Sequence, residues 1–141
     1  MGSSDGLLMN EGVKMGMYTE LVLKCQIKEN IPVDVKAVIA HMFCGEKEPE
    51  KLPQHKFFSL PRWNFIGSCS SFYHHPEVIN SCPKFDFTDT QYIFSRSDIK
   101  NYGGEIEQFI DWLKPYVDAE DGTCIGWTWY EEDLQPTLII K

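Results

Sequence analysis

Residues 90–131 read TQYIFSRSDIKNYGGEIEQFIDWLKPYVDAEDGTCIGWTWYE, and the hydrophobic period changes twice along them. From Thr90 to Ile99 the side chains alternate, with Tyr92 and Phe94 opposite Ile93 and Ser95; such alternation marks a half-buried strand. Asn101, Tyr102, Gly103 and Gly104 form a turn signal. Ile106, Phe109, Ile110, Leu113 and Val117 then fall on one stripe and predict a helix over Glu105 to Asp118. Glu105 and Glu107 suit the positive end of its dipole. Pro115 should kink or tighten its last turn. Asp121 and Gly122 turn the chain into a second alternating run, Thr123 to Glu131, with Ile125, Trp127 and Trp129 on one face.

Working outward, Tyr18 to Lys28 also alternates, with Thr19, Leu21, Leu23, Cys25 and Ile27 on one side. Asn30 and Pro32 open a helix carrying Val35, Val38, Ile39 and Met42 at helical spacing, and Gly45 is a natural stop. Glu46 to His55 is a charged loop. Phe57 to Tyr73 reads as extended, most firmly from Trp63 to Phe72; Phe85 and Phe87 suggest a short strand. Thr137 to Ile140 closes the chain as a strand. The order βαββαββ predicts an α+β fold, an antiparallel sheet with two helices packed on one face. A ferredoxin-like sandwich with one added strand is the expected form.

The chain has 141 residues, enough for one domain with a core of its own. Residues 1–16, rich in small residues, read as a flexible leader or expression remnant, and 17–141 as the single domain. No apolar run reaches the ~20 residues of a membrane helix. Five cysteines at wide spacings, with no CxxC pair, suit a reducing cytoplasm.

Net charge is −8, of which −7 falls in residues 103–141. So acidic a third argues against direct nucleic-acid binding, which needs a basic face, and suits a basic protein surface as partner. On a helical wheel Glu107, Asp111 and Asp118 share the outer face, with Trp112 at its border. Together with Glu131, Glu132 and Asp133 on the following turn they form the expected partner-binding patch, Trp112 serving as its anchor. Plain solubility explains the same charge.

Three chemical sites compete with this reading. His41 with Cys44, or Cys69, His74, His75 and Cys82, are zinc-type ligands without the familiar paired spacing. Cys69 or Cys82 beside His74 or His75 is a candidate nucleophile pair. Tyr92, Phe94 and Arg96, or their alternates on that strand, with Arg62 as a further cation, offer a shallow site for a nucleotide-like ligand. Alternation leaves open which set faces out. No GxGxxG, Walker A, GxSxG or HExxH pattern occurs, so neither cofactor nor metal is expected.

From Met17 onward the chain resembles a group of small proteins encoded by phages, prophages and bacteria. The resemblance lies in Met17-Tyr-Thr-Glu-Leu, Trp63, Cys69-Ser-Ser-Phe-Tyr, Asn101-Tyr, Glu105-Ile-Glu-Gln-Phe-Ile-Asp-Trp, Tyr130-Glu-Glu-Asp and Pro136-Thr-Leu-Ile. It brings no catalytic residues. It implies a mobile-element accessory factor, a class that includes inhibitors of host defence.

Overall fold

The computed structural model describes residues 17–67, 84–86 and 91–141. Residues 1–16, Cys69, His74, His75, Cys82 and Phe87 lie outside them. The fold is α+β: an open antiparallel sheet with two helices. The strands are β1 (Thr19–Ile27), β2 (Lys84–Asp86), β3 (Gln91–Ile99), β4 (Cys124–Tyr130) and β5 (Thr137–Ile140); the helices are α1 (Val33–Cys44) and α2 (Glu105–Leu113). Four strands carry the sheet and three-residue β2 adds at one edge, in the order β2-β3-β1-β4-β5. The first strand in sequence is therefore the middle one in space.

β1 forms where expected, and its two faces part as the alternation predicts. Leu21, Leu23, Cys25 and Ile27 are buried in one hydrophobic cluster with Ile93 and Ile99. That cluster also takes Val35, Val38, Ile39, Met42 and Phe43 from α1 and Ile106, Phe109, Trp112 and Leu113 from α2. The Phe43 and Phe109 rings lie 6.1 Å apart, so both helices share one side of the sheet. Gly45 ends α1 in the left-handed region (φ 74°), its N–H donating to the Ala40 carbonyl.

Three expectations need correcting. The stretch from Phe57 to Gly67 is not a strand: Lys56–Ser59 and Trp63–Phe65 are 3-10 turns. Phe57 is buried against Phe109 and Trp112, and Trp63 against Phe57 and Phe58, so the aromatics form a plug under the helices instead of a pleated row. Second, α2 stops at Leu113. Pro115 lacks the N–H a helix needs, so Lys114–Tyr116 tightens into a 3-10 turn. Val117 then bridges to Ile27, and the Asp118 amide donates to the Gln26 carbonyl at 2.8 Å. Third, Ile125 does not share a face with Trp127 and Trp129. A bulge between Cys124 and Gly126 turns Ile125 into the core, while Trp127 pairs with Val22 on the opposite face. A Cβ on Gly126 would lie 2.1 Å from the Val22 carbonyl oxygen, so only glycine fits where β4 crosses β1.

Candidate functional site

Sheet register decides which residues meet. Thr19 is opposite Ile99 on β3 and Tyr130 on β4. Three strand ends thus converge beside the loop at Asn101 and the first turn of α2. The result is an open cavity of about 580 Å³. Glu107 and Asp133 line it, 26 positions apart in sequence, with Tyr102, Tyr130, Asn101 and Thr19. Asn101 sets the geometry twice. Its Oδ1 accepts from the Ile106 amide at 2.8 Å, capping α2, and its Nδ2 donates to Glu107 Oε1 at 2.8 Å. Asp133 closes a tight turn, its amide donating to the Tyr130 carbonyl at 2.9 Å. Trp129 Nε1 donates to the Asp133 carbonyl at 2.9 Å.

The electrostatics of the cavity are negative. Partial burial pushes the Tyr130 phenol up from its ordinary pKa, and the charges of Glu132, Glu131, Tyr102 and Asp133 push it further. Tyr130 therefore stays a neutral hydroxyl, able to donate or accept. The Tyr102 ring already carries a cation, with the Arg62 guanidinium 5.3 Å from its centroid. Carboxylates, hydroxyls and ring faces around one opening form an environment for a positively charged group.

Of the seven expected patch residues, the cavity gathers Glu107 and Asp133 only. Glu131 and Glu132 belong to the same turn, but Glu131 is a structural staple. Its side chain accepts from the Tyr18 amide, and its own amide donates to the Tyr18 carbonyl. Asp111 is exposed and pairs with His55 Nε2 at 3.0 Å. Asp118 accepts from Gln26 Nε2, at the other end of β1 from Tyr18. Eight residues of strand put it about 25 Å from Glu131, so the carboxylates do not make one patch. Trp112 is 4 % exposed, enclosed by Phe57, Phe58, Phe109 and Tyr116, and cannot anchor a partner. Sequence reasoning missed Tyr102, Tyr130 and Thr19 because each sits on a different element and only register joins them.

The competing sites can be placed as well. Tyr92, Phe94 and Arg96 lie on the sheet face away from the helices, opposite Gln26, Lys24 and Val22. Arg96 is engaged there by two buried carboxylates, Glu20 and Asp98. Arg62 is held near buried Glu105, Nη1 to Oε2 at 3.9 Å. Both guanidiniums thus face carboxylates of their own chain. His55 Nδ1 accepts from the Phe57 amide at 3.0 Å, which leaves Nε2–H to donate to Asp111. Both ring nitrogens are used, so His55 has no lone pair for a base. Among the described residues no three His, Cys, Asp or Glu side chains gather as a metal site. No described helix is long and apolar enough to cross a membrane.

Three thiols are described, and they are free. Burial pushes the Cys25 thiol up to about 12, and burial then Glu46 push Cys44 up. Folding thus favours the neutral Cys25 thiol; the stability this gives is complete below about pH 9 and is lost as pH rises toward 12. With a thiol reagent at pH 8, exposed Cys124 should react first, and Cys25 only as fast as the chain unfolds. Fast labelling of Cys25 in the folded protein would contradict its enclosure.

Comparison with protein-family models, curated proteins and solved structures found no match.

Proposed function

We propose that the chain is a non-enzymatic, acidic protein-binding factor whose cavity at Glu107 and Asp133 receives a lysine or arginine side chain from a basic partner. The carrying observation is the convergence of these two carboxylates with Tyr102 and Tyr130 on one opening. A cation entering it gains charge-assisted hydrogen bonds and a ring face. The net −7 of residues 103–141 draws a basic surface from a distance, and the cavity gives it a place to dock. A basic surface that ordinarily grips nucleic acid has this chemistry. With the sequence resemblance, that supports an accessory factor of a phage or mobile element acting on a host defence or nucleic-acid-binding protein in the cytoplasm. The order β2-β3-β1-β4, with a helix on each crossover and β5 added outside, supports reading the domain as a ferredoxin-like sandwich with an extra strand.

The test is fluorescence anisotropy with labelled lysine- and arginine-rich peptides. Affinity should fall as salt rises. Glu107→Gln with Asp133→Asn should weaken binding about tenfold, the worth of ~1.4 kcal/mol. Asp118→Asn, at the far end of β1, should leave it unchanged. Equal losses from both sets, or indifference to salt, would reduce the acids to a solubility role.

A further inference from the structure

We propose that β5 pairs edge to edge with β5 of a second copy of this chain, making a two-fold dimer with one continuous sheet. β5 is the last strand of the sheet, and no described strand follows it. Its four residues, Thr137, Leu138, Ile139 and Ile140, are uncharged, and Leu138 and Ile140 are 59 % and 42 % exposed. Edges of this kind are usually blocked by a charge, a bulge or a proline. Pro136 stands just before the strand and Lys141 just after it, but nothing within it prevents pairing.

Backbone direction selects the occupant. The Lys141 amide donates to the Thr123 carbonyl at 2.8 Å, and the Lys141 carbonyl accepts from Gly122 at 3.1 Å. Lys141 therefore faces β4 and its preceding turn. Direction alternates along a strand, so Ile139 also faces β4, and Leu138 and Ile140 turn their N–H and C=O groups to the free side. An antiparallel copy centred on Ile139 places Leu138 opposite Ile140 of the second copy, and Ile140 opposite its Leu138. Both are then hydrogen-bonded pairs, and all four outward groups on each strand are used. The same register stacks leucine on isoleucine twice on the face away from the helices. Shifting the centre to Leu138 would set Ile140 opposite Pro136, which has no N–H.

In this register Lys141 comes opposite Thr137 of the second copy, while its Nζ stays with Asp121 of its own chain at 3.6 Å. So short a strand buries less than the ~1,200 Å² of a standard stable interface, which places the dimer among weak, reversible ones.

Sedimentation equilibrium of the full chain, from ten to several hundred micromolar (~10–500 µM), should show the mass rising from 16.3 kDa toward twice that value. Over the same range the Leu138 and Ile140 amides should become protected from hydrogen exchange in proportion to the dimer. Leu138→Lys with Ile140→Lys places charge on two already exposed positions. It should weaken the dimer more than about tenfold with the melting curve retained. If that variant folds poorly, the exchange measurement on the unaltered chain still decides. A monomeric mass throughout overturns the proposal, as does a dimer in which those two amides exchange at a concentration-independent rate.

Discussion

Trp112→Ala should cost about 3–5 kcal/mol and lower the melting temperature by about 10–20 °C. The indole is 4 % exposed and lies in an aromatic plug. Phe57 stacks on it with planes 23° apart, and Phe58 and Tyr116 meet it edge-on at 5.1 and 5.9 Å between centroids. Removing it opens a large void beneath the 3-10 turns, which have no strand partners to hold them. Thermal unfolding by circular dichroism checks this. A shift under ~3 °C, worth less than about 1 kcal/mol, would mean that the indole is not part of the core. The partner-binding acids should keep their effect in any variant that folds, because Trp112 does not reach the surface.

Arg96→Met should cost a similar ~3–5 kcal/mol, for a different reason. Glu20 and Asp98 are directly opposite across β1 and β3, and they are 3 % and 0 % exposed. Two carboxylates at cross-strand distance repel. Arg96 resolves the conflict by giving Nε to Glu20 and Nη2 to Asp98. Methionine fills most of the arginine stem but leaves both anions without the guanidinium, so the loss is electrostatic and not a packing defect. One comparison separates these causes. The triple change Glu20→Gln, Arg96→Met, Asp98→Asn should recover more than half of the deficit in thermal unfolding. A triple variant as unstable as Arg96→Met alone would instead assign Arg96 a packing role.

The long periodic elements were legible in the sequence. β1, β3 and α1 announce themselves because period and capping agree: alternation at Leu21, Leu23, Cys25 and Ile27, and Gly45 where α1 must stop. Three things were hidden. The aromatic run at Phe57 and Trp63 imitates a strand, since burial under two helices and burial on a sheet favour the same residue types. Ile125 alternates with Trp127 and Trp129 in sequence, but a bulge is a property of two paired strands and leaves only a glycine as its trace. Glu107, Asp111 and Asp118 share one face on a helical wheel, yet the helix stops at Leu113 before Pro115 and Asp118 runs back along β1, away from Glu131. The candidate cavity was half legible. Its carboxylates were named from charge, while its tyrosines depend on which strand ends become neighbours.

β1 is made first and sits in the middle of the sheet. During synthesis it leaves the ribosome with neither of its flanking strands yet translated. β3 begins 64 residues after β1 ends, and β4 a further 25 after β3 ends. Until Cys124–Tyr130 has emerged, one whole side of β1 lacks its hydrogen-bonding neighbour. Nascent chains ending near Asp118 should therefore be sensitive to protease and should recruit chaperones, becoming resistant only when β4 and β5 clear the exit tunnel.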